Sequence, residues 1–150
     1  MKKLSLYIII GVSLLMVSCN LVISDNGDLD GLWQLRTIEN LRTGQISDGR
    51  DRGVQWAFQG SLLQLCASTD TIFSDVFCSF CHDGATLELT NPHFFGRFVE
   101  GVNDDVRVED AKYLHVYGLY RLEESYRVLQ LDGETMRLQS DSVRLYFRKY

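Results

Sequence analysis

Cys78-Ser79-Phe80-Cys81-His82 is where reactive side chains lie densest in this chain. Two cysteines three positions apart with histidine next is the pattern to which c-type haem is attached through two thioether bonds. Such a site also needs a second axial ligand and an apolar pocket, and Met136, His93 and His115 are available for the first. Against haem, Ile72–Phe80 reads as a strand running into an Asp83-Gly84 turn. On a strand Cys78 and Cys81 face opposite sides, the wrong geometry for two bonds to one ring. A structural zinc takes four ligands and the chain has a single Cys-x-x-Cys, so no metal is expected. The expectation is a structural motif and no cofactor, with a haem carrier through Cys78, Cys81 and His82 as the alternative.

The thiols have another use. Cys66 ends one apolar run and Cys78 lies in the next. If those runs are antiparallel neighbours, Cys66–Cys78 or Cys66–Cys81 comes within bonding distance; otherwise the cysteines are small buried hydrophobes. Other sets fall short of chemistry. His82-Asp83 reads as a turn, not as a base with its orienting carboxylate. Ser125, Ser140 and Ser142 lie in no Gly-x-Ser-x-Gly elbow. Asp104-Asp105 with Glu109-Asp110 lacks the spacing of an EF-hand and reads as a solvated acidic loop. Glu123-Glu124 supports neither a metal site nor a glycosidase pair. The expectation is a protein that is not an enzyme.

The first residues carry an address. Met1-Lys2-Lys3 is a positive start, followed by an apolar run from Leu4 to Val17. That run of about 14 residues is too short to cross a bilayer as a helix, which takes about 20; it has the anatomy of an export signal. Met16-Val17-Ser18-Cys19 resembles the bacterial lipobox, whose cysteine receives diacylglycerol before the signal is cut off. The resemblance implies a signal peptide over 1–18, lipid on Cys19, an acylated tether over 19–30 and a folded domain over 31–150. The place implied is the bacterial cell envelope, on the outer membrane, facing the periplasm or the surface. Losing Lys2 and Lys3 takes the formal charge from −5 to −7. An acidic chain argues against nucleic acid, which requires a basic footprint. It also argues against adsorption to anionic lipid, leaving acyl chains as the membrane contact.

From Gly31 onward no stretch sustains a 3.6-residue apolar period. Short runs rich in β-branched and aromatic residues alternate with turn residues. The runs are Leu32–Glu39, Val54–Ala67 (bent at Gly60), Ile72–His82, Thr86–Thr90, Phe94–Glu100, Tyr113–Leu122, Tyr126–Leu131, Thr135–Gln139 and Val143–Lys149. Asn40–Gly53 is too polar for core, and Asn103–Lys112 fits strand, short helix or loop. Asp83-Gly84 and Asp132-Gly133 supply tight turns. This is an all-β chain, an up-and-down antiparallel barrel or a sandwich.

Asp28-Leu29-Asp30-Gly31-Leu32-Trp33 resembles the start of a lipocalin-type barrel, a turn followed by Gly-x-Trp on the first strand. The span from about Gly27 to Tyr150 is similar to small lipocalin-like bacterial lipoproteins of unknown function, through GDLDGLWQLRTIE, WAFQGSLLQL, YGLYRLEESYRVLQLDGETMRL and SDSVRLYFRKY. The resemblance implies a lipocalin-like barrel of about eight strands, closed at one end by Gly31, Trp33 and an arginine of the last strand, Arg148 or Arg144. Trp56, Phe58, Phe77 and Phe147 then line the interior, around a small hydrophobic ligand or in a filled core. A filled barrel implies an interaction or envelope-assembly module instead of a binding protein.

Overall fold

The computed structural model describes residues 24–68, 75–95 and 106–150. The export signal, Cys19, Phe73, Phe98 and Asp104-Asp105 lie outside the described residues. Among the described residues ten strands form: β1 Gly31–Asn40, β2 Ile46–Asp48, β3 Gln55–Gln59, β4 Leu62–Cys66, β5 Asp75–His82, β6 Thr86–Phe94, β7 Val106–Arg107, β8 Glu124–Leu131, β9 Thr135–Gln139 and β10 Val143–Lys149. Eight of them pair in chain order, β1-β3-β4-β5-β6-β8-β9-β10, and β10 returns to β1 to close an antiparallel barrel. The expected up-and-down barrel is therefore the fold. The short strands β2 and β7 sit beside β1 and β6 at one end.

Alternation supplies the core. Val143, Leu145 and Phe147 face inward from β10 and Met136 and Leu138 from β9, as the period of two requires. Trp33, Leu35, Trp56, Leu63, Leu65, Val76, Leu87 and Leu89 complete the buried wall. Asp83 and Asp132 build their turns alike: Asp83 Oδ1 accepts from the N–H groups of Ala85 and Thr86, and Asp132 Oδ1 from those of Glu134 and Thr135. These turns and Gly60 mark one end, the base. The opposite end, the mouth, carries the segment between β1 and β3 and the segment between β7 and β8.

Three sequence expectations change. Thr86–Thr90 does not end at Thr90: β6 continues through Pro92 to Phe94, and residues 96–100 of the next expected run lie outside the described residues. Asn91, at φ 56, makes a bulge opposite Cys78, and Pro92 sits where the ladder asks for no N–H. Asn40–Gly53 is not all loop, because Ile46–Asp48 pairs with β1 beyond the point where β3 leaves it. Tyr113–Leu122 is not a strand: Ala111–Tyr117 is a 3-10 helix. Asp110 caps it by accepting from Lys112 N–H at 2.9 Å, and Gly118 ends it at φ +93.

Candidate functional site

The barrel interior is the first place where a ligand would be sought. Trp56 stands at its centre, 4.8 Å from Phe147, 6.1 Å from Phe58 and 6.0 Å from Tyr126 between ring centroids. Phe80 adds an edge to Phe58 at 5.1 Å. Tilted and edge-on contacts of this kind let large rings fill space tightly. Trp56, Phe58 and Phe147 thus pack against one another. Phe77 does not join them: alternation turns it to the outer wall, where it meets Phe95 at 5.5 Å.

The base is sealed by a turn and a lysine. Trp33 Nε1 donates to Leu29 O at 2.8 Å, tying the first strand to the preceding 3-10 turn. Lys149 Nζ lies 5.0 Å from the Trp33 ring centroid and donates to Asp28 O at 2.7 Å. Arg148 does not supply the cation: it is exposed and lies opposite Gln34, whereas Lys149 lies opposite Trp33. One residue of register decides which side chain reaches the ring. Arg144 is also turned outward, towards Glu39 and Gln139. Gly31 is needed at φ +110, and a Cβ there would stand 3.2 Å from Lys149 Cε.

The mouth is plugged by the segment that follows β7. Trp56 Nε1 donates to Tyr117 O at 3.1 Å, and Tyr126 O–H donates to Gly118 O at 3.0 Å. Leu114 and Leu119 are fully buried beneath these bonds. Burial pushes the Tyr126 phenol well above its ordinary value, so it stays a hydrogen-bond donor. Glu124, also buried, accepts from Tyr120 N–H at 3.1 Å and fixes the return into β8.

Hollows remain beside the packed rings. A cleft of about 420 Å³ opens at the mouth between β2, the turn at Arg50–Arg52 and the plug. Ile38, Val54 and Val116 supply its apolar lining; Asp48, Asp51, Arg52 and Ser47 supply polar groups. His115 stacks on Tyr120 at its side, with centroids 4.7 Å apart and planes at 26°. The Arg50 guanidinium holds the Asp48 carboxyl down to about 2, so it is ionised at neutral pH. A second, more open groove of about 460 Å³ runs along the outer wall between Leu62, Phe77, His93 and Phe95. His93 Nδ1 lies 2.8 Å from Asn91 O at the β6 bulge.

A family model for a lipocalin-like domain matches residues 14–150, nearly the whole chain. The chain belongs to the lipocalin-like domain family. Among solved structures it is similar to a lipocalin-like protein from Bacteroides uniformis, at 23% identity and a TM-score of 0.59, over 83% of this chain and all of that one. It is also similar to an uncharacterised protein from Bacteroides eggerthii, at 20% identity and a TM-score of 0.55, over 81% of this chain and 98% of that one. Both likenesses concern the fold. Among curated proteins none matches.

In this lipocalin-like barrel the cysteines stay apart. Cys66 faces Asp75 across β4 and β5, while Cys78 faces Leu63. The two thiols are three rungs apart, about 10 Å along the strands, on opposite faces of the sheet. All three described cysteines are free, which overturns the Cys66–Cys78 bridge. Cys78 is buried in the core and Cys81 is exposed on the other side, as the strand reading requires. Burial pushes the Cys66 and Cys78 thiols up to about 12; for Cys66 the neighbouring Asp75 carboxylate adds to this. His82 turns inward opposite Leu87, and its buried Nε2 finds no partner among the described residues. Met136 lies in the core, His93 on the outer wall and His115 at the mouth, so none completes a haem site with Cys78, Cys81 and His82. Sequence reading missed Lys149, the plug and the mouth cleft. Asp110 before an apolar run closed by Gly118 was the available signal for the plug.

Proposed function

We propose that this chain is a lipid-tethered, non-catalytic binding protein of the bacterial cell envelope that takes a small amphipathic molecule in the mouth cleft. The observation that carries the reading is the filled interior beside an open cleft: rings occupy the barrel centre while about 420 Å³ stays free at the mouth. A concave site with an apolar floor and a few polar groups is what small-molecule recognition uses. The apolar part of the ligand rests on Ile38, Val54 and Val116, and its polar part meets Asp51, Arg52 or the Tyr120–His115 stack. Shape and burial do the holding, with no bond made or broken. Acylation of Cys19 places the domain at the membrane. Asn26, seven residues later in the chain, donates to Gly60 O at 2.7 Å and to Asp30 Oδ1 at 2.8 Å, so the tether joins the barrel at its base.

The test uses anilinonaphthalene sulfonate as the amphipathic probe. Ser47→Trp, which fills the cleft from its rim, abolishes probe fluorescence, while Phe77→Ala on the outer wall leaves it unchanged. Full fluorescence in Ser47→Trp would sink the mouth reading. Metabolic labelling with palmitate tests the tether: label enters the full chain and is lost in Cys19→Ala. An interaction module is the second reading, favoured by the sealed base and plugged mouth. It gains ground if neither variant changes probe binding.

A further inference from the structure

Charge divides the outer wall of the barrel. Strands β3 to β6 carry no lysine or arginine, and their charged outward residues are Asp75 and Glu88. Strands β8 to β10 carry Arg127, Arg137, Arg144 and Arg148, turned outward by alternation against Tyr126, Met136, Leu138, Leu145 and Phe147. In a chain of formal charge −5, this concentration on adjacent strands runs against the average. Glu39 of β1 is engaged there by Arg144 Nη1 at 3.0 Å and Tyr146 O–H at 2.9 Å. Arg127, Arg137 and Arg148 are exposed and make no ion pair among the described residues.

Register sets these three in a line. Arg127 lies opposite Gln139, two residues from Arg137, and Arg148 lies opposite Thr135, two residues from Arg137 on the other side. With strands about 4.8 Å apart and a rise of about 3.3 Å per residue, each diagonal step is roughly 8 Å between Cα atoms. The middle cation is already oriented. Arg137 lies over the Tyr146 ring at 5.4 Å and donates to Gln130 Oε1 at 3.1 Å.

We propose that this diagonal binds an acidic polysaccharide, a linear chain whose repeating carboxylates pair with the forks of Arg127, Arg137 and Arg148. Guanidinium groups match carboxylates in two-point contact. Between them Gln130, Thr135 and Tyr146 are engaged with Asp132, Arg137 and Glu39, so the arginine forks carry the contact. A protein partner fits less well, because Leu129 is the one large apolar residue exposed on these strands among the described residues. A flat bilayer pressed on the wall would meet the carboxylates of Asp132, Glu134 and Asp141 at the strand ends.

The test titrates the detergent-solubilised full chain with polygalacturonate in a calorimeter at rising salt. Binding weakens with salt, and Arg127→Gln/Arg137→Gln/Arg148→Gln loses about tenfold in affinity or more. Arg42→Gln/Arg107→Gln/Arg121→Gln removes the same charge elsewhere and retains binding within about twofold. If the first triple fails to fold, the single changes Arg127→Gln and Arg148→Gln, at side chains without a described partner, carry the comparison. Equal loss in both triples, or no binding by the unmodified chain, overturns the proposal. So does a preference for phosphatidylglycerol vesicles over the polysaccharide. The outcome is independent of the mouth cleft, which neither triple touches.

Discussion

Lys149 reaches from the last strand across Trp33 to the carbonyl of Asp28, and so joins both ends of the domain in one contact. Lys149→Gln removes the cation over the ring, and urea unfolding should show a loss of about 0.5–1.5 kcal/mol. Arg148→Gln next to it should change stability by less than about 0.5 kcal/mol. The resemblance asked for an arginine on the final strand, but the alternation of Val143, Leu145 and Phe147 already puts Lys149 on the inner face with Trp33 and Arg148 on the outer one. The thiols give a second check. In a Cys19→Ala background a maleimide at neutral pH should label Cys81 at once, and Cys66 and Cys78 only when the chain unfolds. Burial raises both protected thiols from 9.0 to about 12. Between those values the unfolded chain loses its protons first, so this contribution to stability is whole below about pH 9 and falls as pH rises towards 12. An unfolding midpoint flat across that range would contradict the burial of Cys78.

The element that decides whether the barrel is open is the plug from Ala111 to Leu119. Gly118 holds it at φ +93, and a Cβ there would stand 2.9 Å from Leu145 Cδ2. Gly118→Ala should therefore destabilise by about 1–3 kcal/mol through backbone strain and overpacking. Tyr126→Phe, which strips the O–H from Gly118 O while keeping the ring, should cost about 1 kcal/mol. Both are read from denaturant midpoints. Here a strand was the natural expectation, since Tyr113, Val116 and Tyr117 have strong β-propensity. Tertiary context overrode it. The segment must cross the mouth, and a short 3-10 helix places Leu114, Tyr117 and Leu119 over the core. By contrast β9 and β10 were legible to the residue, because one wet face and one dry face enforce the period of two.

For the molecule as a whole, composition and turn spacing indicated an all-β barrel or sandwich, the resemblance around Gly31-Leu32-Trp33 pointed to a lipocalin-like one, and the family match agrees. Whether the barrel is hollow was not legible, because an aromatic on a strand reads the same lining a cavity or filling one. Trp56, Phe58 and Phe147 pack against one another inside it, and a cleft of about 420 Å³ opens at the mouth. The cleft is assembled by β2 and the adjoining 3-10 turn together with the plug, which lies far along the chain, and none of them has a distinguishing motif. The most direct test is a methyl-resolved NMR titration of the domain with anilinonaphthalene sulfonate. The account predicts shifts confined to Ile38, Val54 and Val116 around the mouth cleft, with the methyls of Leu63, Leu65, Leu138 and Met136 unmoved. Shifts centred on those interior methyls would mean that the barrel opens to take its ligand inside, and would contradict a filled core.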